Sequence, residues 1–200
     1  MSFQRSTLVG ALAALSFCAA HAATVYSNDF SALGPQASPG AINDAFNAAG
    51  AGAGTMTVDL AGYLSLDGDG NCCTDVFHIN LNGTEIYTAS FNLGGGGVNT
   101  VYLAPAGSTA LVTTNGASDD PHNSTQITWA GGSALITLPV SFVAGNNTLQ
   151  FSYTGAGQGT GDEAWGLNQV SINAVPEPES YALLLAGLAA TGFVARRRRA

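Results

Sequence analysis

Val76-Phe-His-Ile-Asn-Leu-Asn-Gly-Thr-Glu-Ile-Tyr-Thr-Ala-Ser-Phe91 decides the fold. Phe77, Ile79 and Leu81 alternate with His78 and Asn80, and a period of two places the apolar set on one face of a strand. Asn82-Gly83 follows at once. Both central residues of a type I′ turn need positive φ, which Asn and Gly tolerate, so the segment from Thr84 to Phe91 returns as the antiparallel partner. A hairpin that is apolar on one face needs a second layer to cover it, and the rest of the chain must supply that layer.

Short strand patterns separated by Gly, Asn and Asp extend in both directions. Upstream, Thr24-Val-Tyr-Ser27 opens the series and Asp29-Phe-Ser31 joins its first edge, while Met56-Thr-Val-Asp-Leu60 and Tyr63-Leu-Ser-Leu66 read as strands. Residues 36–54, rich in Ala and Gly, read as a loop with a single helical turn at Asn43-Asp-Ala-Phe-Asn47. Downstream, Gly94 to Gly97 reads as a turn. Residues 98–103, 110–114, 126–129, 134–142, 148–153 and 165–173 read as strands, with Gly145-Asn-Asn147 a turn and the Gly-rich residues 155–161 a loop. Pro139 lacks an N–H to donate and marks an edge or a bulge. Ten or so strands with turns every eight to twelve residues predict an all-β, antiparallel β-sandwich of jelly-roll type.

Charge is distributed unevenly. All five basic residues are Arg5 and Arg196 to Arg199, whereas eleven of the thirteen acidic residues lie between Asp29 and Glu163. A domain with no Lys or Arg offers nothing to a phosphate backbone or an anionic membrane surface, which excludes nucleic acid as a partner. Its carboxylates have no basic side chain to pair with. Where they cluster they must be solvated, hydrogen-bonded, protonated or bound to a cation.

They cluster in Asp67-Gly-Asp-Gly-Asn-Cys-Cys-Thr-Asp75. Asp67, Asp69, Asn71 and Asp75 occupy positions one, three, five and nine of a calcium loop, where hard oxygens from alternate residues can wrap one large cation. Position six is Cys72 rather than Gly, and position twelve is His78 rather than Glu. These departures and the lack of flanking helices exclude a helical EF-hand. They leave a β-loop Ca2+ site, with Asp162 or Glu163 as a distant ligand, beside the alternative of an acidic solvated turn. Cys72 and Cys73 are the only cysteines outside the N-terminal segment. Adjacent Cα atoms lie about 3.8 Å apart, so a bond between them is strained. An oxidising compartment nonetheless favours a vicinal disulfide over an intermolecular bridge or two free thiols.

The two ends read as addresses. Arg5, the apolar residues 8–20 and Ala20-His-Ala22 form a signal peptide with a small-x-small cleavage site. At the other end stand Pro176-Glu177-Pro178, an apolar run from Tyr181 to Ala195 read as a short hydrophobic helix, and Arg196, Arg197, Arg198 and Arg199. That order resembles the PEP-CTERM sorting signal. The resemblance implies export by the translocon across the inner membrane of a Gram-negative bacterium, transient membrane anchoring of the precursor, and processing by an exosortase. The expected organisation is a signal peptide at 1–22, a β-sandwich at 23–174 and the sorting signal at 175–200. Asp162 to Ile172 and Asp75 to Gly83 resemble segments of jelly-roll and lectin-like sandwiches carried by proteins with this tail, which supports fold more than activity.

Aromatic residues supply the remaining candidates. Trp129 reads as an exposed platform for stacking on a sugar ring, with Trp165 a plug in the core. His78 reads as a rim residue and His122 as part of the exposed Asp119-Asp-Pro-His122 loop. No Gly-x-Ser-x-Gly or His-Glu-x-x-His motif is present. The expectation is a non-catalytic protein of the cell surface or extracellular matrix that binds glycan or polysaccharide with Ca2+. A purely structural or adhesive protein, or a carbohydrate-active enzyme using Asp162 or Glu163, are the alternatives.

Overall fold

The computed structural model describes residues 22–114, 131–175 and 178–197. The chain passes through β1 (Thr24–Asp29), a 3₁₀ turn (Ser31–Leu33), β2 (Gln36–Ala37), β3 (Gly40–Ala48), β4 (Gly52–Gly62) and β5 (Leu66–Asp67). It continues through β6 (Val76–Leu81), β7 (Thr84–Ser90), β8 (Gly94–Gly96), β9 (Thr100–Leu103) and β10 (Thr109–Thr114). The series closes with β11 (Gly132–Phe142), β12 (Gly145–Thr154), β13 (Ala164–Ala174) and α1 (Pro178–Arg197).

Two antiparallel sheets carry the architecture. One has the order β1-β13-β4-β11-β10, with β2 paired to β13; the other runs β3-β12-β6-β7-β9. Their inner faces share one apolar core. Met56, Val58 and Leu60 of β4, Ile136 and Leu138 of β11 and Val170 and Ile172 of β13 belong to the same cluster as Phe77 and Ile79 of β6 and Leu149 and Phe151 of β12. Each such side chain contributes about 1.5–3 kcal/mol on full burial. At one end Phe77, Tyr153 and Trp165 form an aromatic triangle with centroids 5.2–6.1 Å apart. Trp165 is the core plug expected, and its indole N–H donates to the Ala37 carbonyl at 3.0 Å.

Strands β6 and β7 form the expected hairpin. Asn82 and Gly83 have φ of 54° and 76°, the pair of positive values a type I′ turn requires. The register pairs His78 with Thr88 and Ile79 with Tyr87.

Several expectations are corrected. Residues 40–48 form strand β3, not a loop with a helical turn. Ile42, Phe46 and Ala48 point inward, a two-residue alternation hidden by Ala, Asn and Asp, which are poor strand formers. Tyr63 to Ser65 lie outside any strand: β4 runs on to Gly62, and only Leu66 and Asp67 pair again, with β8. The turn between β11 and β12 is Val143-Ala144, and Gly145 to Asn147 already belong to β12. The buried Asn147 makes that turn, accepting from Val143 N and donating to Val143 O and Gly145 O. Pro139 sits in an inner strand, opposite Thr55 of β4 and beyond the end of the β10 pairing, which among the described residues reaches only as far as Thr137.

Helix α1 opens at Pro178, where a missing N–H costs nothing because first-turn N–H groups have no intrahelical acceptor, and carries Arg196 and Arg197 in its last turn. Among the described residues no helix is long and apolar enough to cross a membrane. The signal-peptide reading, the strand expected at residues 126–129, Trp129 and His122, and Pro176, Glu177, Arg198 and Arg199 lie outside the described residues.

Candidate functional site

The acidic loop is held at both ends by the backbone. Asp67 belongs to β5, which pairs in parallel with β8; beyond it, Gly68 N donates to Gly96 O at 2.8 Å, and Asp69 and Val98 exchange two backbone bonds. Gly95 is needed here, because a Cβ would run into the Asp67 carboxylate. At the far end Asp75 N donates to Asp67 O at 3.0 Å, and the Ser90 hydroxyl donates to the carbonyls of both Asp67 and Asp75.

This closure turns Asp75 inward. Its carboxylate accepts from the Ser38 hydroxyl at 2.7 Å and from Asp67 N at 3.0 Å. Asp67 accepts from the Asn71 amide at 2.6 Å through Oδ1. Of the four residues in calcium-loop spacing, Asp67, Asn71 and Asp75 are thus tied together. Asp69 is not tied to them by its side chain; its backbone bridges to Val98 instead.

The turn before β13 adds two carboxylates. Asp162 accepts from the Ser65 hydroxyl at 2.6 Å. Glu163 is fully buried: Oε1 accepts from Gln158 at 2.7 Å, while Oε2 has no hydrogen-bond partner among the described residues. Burial, then the charges of Asp75, Asp67 and Asp162, push Glu163 up to about 7. Asp75 and Asp67 are raised as well, burial being the chief cause in each. The result is a buried group of like charges with one unmet oxygen, an arrangement that a cation would relieve. Carboxylate oxygens of this kind are the hard donors that Ca2+ takes.

Cys72 and Cys73 stand as free thiols with their sulfurs 2.8 Å apart. Neighbouring residues place their Cα atoms below the span a relaxed disulfide needs. The hydrogen bond with Cys72, followed by burial and neighbouring negative charge, pushes the Cys73 thiol up to about 11.

A second feature lies on the outer face of the five-stranded sheet. A cavity of about 340 Å³ is lined by Asn43, Asp44, Asn80, Gly83, Thr148, Leu149 and Gln150. The register sets Gln150 of β12 opposite Asn43 of β3 on one side and Asn80 of β6 on the other. Three carboxamides therefore form a row across three strands, and Gln150 donates to Asn43 at 2.9 Å. Asp44, also among the lining residues, ties β3 to β1 of the other sheet. It accepts from Tyr26 at 2.5 Å and Asn28 at 2.7 Å; burial raises its pKa, but these bonds and one from Ala45 N outweigh that and hold it below the usual range. Reading residues 36–54 as a loop hid this row, because Asn43 joins it only through strand register. His78 stands farther along the same face, half-buried, between Glu85 at 2.6 Å and Thr154 at 2.9 Å.

Residues 174–199 match the PEP-CTERM protein-sorting motif. No curated protein matches the chain. Among solved structures, it is similar to a CBM35 module from Cellvibrio japonicus Abf62, at 18% identity over 77% of this chain and 89% of that one, with a TM-score of 0.36. A Xyl-CBM35 in complex with a glucuronic acid containing disaccharide gives 18% identity over 77% and 88%, TM-score 0.36. A family 35 carbohydrate binding module from Clostridium thermocellum gives 16% over 76% and 100%, TM-score 0.32. At this level of similarity the site is read from this chain's own residues.

Proposed function

We propose that this is an exported, exosortase-processed protein of a Gram-negative cell surface or extracellular matrix, whose β-sandwich binds polysaccharide without catalysis. The observation that carries the reading is the carboxamide row Asn43-Gln150-Asn80 in its groove. Carboxamides offer donors and acceptors together, which is what vicinal sugar hydroxyls require. The absence of Lys and Arg from residues 22–175 directs the groove to hydroxyl-rich ligands rather than to phosphates. The sorting motif supports delivery to the surface. Ca2+ is proposed for the pocket of Asp67, Asp75 and Glu163, supported by the unpartnered Glu163 Oε2; there it would fix the loop that follows β5.

A structural or adhesive role is the second reading. It is favoured by Val101, Tyr102 and Leu103 of β9 and Leu111 of β10, apolar side chains exposed on outer strands of the two sheets. Binding of the mature protein to the producing cell's own polysaccharide, with calcium and with chelator, separates these readings. Binding is expected in calcium and weakened by chelator. Equal binding in both conditions would remove the metal from the function, and no binding in either would leave the adhesive role.

A further inference from the structure

We infer that Cys72, Cys73 and Asp67 form a site for a thiophilic divalent cation of the zinc type, distinct in chemistry from the oxygen pocket behind it. One ligand atom from each lies within 4.8 Å of the other two. Calcium has no use for sulfur, whereas zinc and cadmium bind thiolates in tetrahedral sets completed by carboxylate oxygen. Zn–S bonds of about 2.3 Å set tetrahedral ligand atoms roughly 3.8 Å apart, so the sulfurs need to open by about 1 Å from their present 2.8 Å.

The loop presents these donors together. Asn71 donates to Asp67 Oδ1 and accepts from Cys72 N at 2.8 Å, so one side chain ties the carboxylate to the first cysteine. Cys72 is exposed and Cys73 half-buried, which leaves a path from solvent, while Asp67 forms the buried wall. The three side chains leave the fourth tetrahedral position to water. The inference rests on the thiols and not on the calcium reading, although both sites use Asp67. It also gives the thiol pair a role that an oxidising compartment would otherwise deny it.

The test uses the full chain, reduced and then freed of reductant without oxygen. It is titrated with Cd2+, followed by the thiolate-to-metal absorption band, and with Zn2+ against a chelating dye. One equivalent is expected to bind with the band. Cys72→Ser and Cys73→Ser should each weaken binding by tenfold or more, and Asp67→Asn should weaken it by about tenfold while circular dichroism shows an intact fold. The site is overturned by a folded, reduced protein that gives no band, by an affinity unchanged in Asp67→Asn, or by thiols consumed in a disulfide-linked dimer. The double variant C72S/C73S should keep any calcium-dependent rise in Tm, so failure of the thiol site is distinguishable from failure of the calcium pocket.

Discussion

Glu163 faces Asp75, Asp67 and Asp162 with one carboxylate oxygen unmet, and burial with their charge pushes it up to about 7 from an ordinary 4.5. An unfolded chain loses this proton near the ordinary value, so between the two the native state alone holds it. Stability of the metal-free protein must then fall as pH rises through that window and stay low above it. Asp75, Asp67 and Asp59, raised as well, add slope of the same sign; Asp29 and Asp44, lowered, act with the opposite sign only below their ordinary 3.8. Melting temperature measured in chelator should therefore decline between pH 5 and pH 7. Glu163→Gln should flatten the upper part of that decline, and excess calcium should raise the curve most at the alkaline end. A chelated protein whose Tm is flat or rises over this range would rule the charged pocket out. Sequence spacing reached Asp67, Asn71 and Asp75 because local chain geometry joins them. It could not reach Ser38 or the burial of Glu163, which depend on where β2 and the turn before β13 pack.

At the scale of the element, one turn sets register within the five-stranded sheet and another, between β11 and β12, carries the chain from one sheet to the other. The β6–β7 turn needs positive φ at both Asn82 and Gly83, and Asn82 also locks to β12: its N–H donates to Thr148 O at 2.9 Å, and its Oδ1 accepts from Thr148 N at 2.9 Å. Replacing Gly83 by Val imposes the left-handed penalty of about 1–2 kcal/mol and should lower the urea midpoint without changing the slope. Asn147→Ala, which strands the backbone groups of Val143 and Gly145, should cost about 1–3 kcal/mol. Wild-type midpoints in both variants would contradict this account of the turns. The hairpin was legible because alternation and Asn-Gly speak together within sixteen residues. Strand β3 was not legible, because Ala, Asn and Asp carry little strand preference and its place is set by pairing with β12, about a hundred residues away. The carboxamide row was lost with it, being a property of register across three strands.

For the whole molecule, address and activity are separable. The sorting motif occupies residues 174–199, and the sandwich forms its own unit at Ala22–Val175. Replacing Pro176, Glu177 and Pro178 by Ala should leave unprocessed precursor in the inner membrane fraction; normal processing and release would sink the exosortase assignment. The groove, by contrast, should work without the tail. Gln150 and Asn80 lie on the outer face, Gln150 exposed and Asn80 half-buried, so replacing both by Ala should change stability by about 0.5 kcal/mol or less each and leave the core untouched. The most direct measurement is the affinity of wild-type and N80A/Q150A proteins for the producing cell's polysaccharide, at equal calcium and with matched melting temperatures. The account predicts binding by the wild type and a loss of about tenfold or more in the double variant, as hydrogen bonds to the ligand are removed. Equal affinity in the two proteins would contradict it.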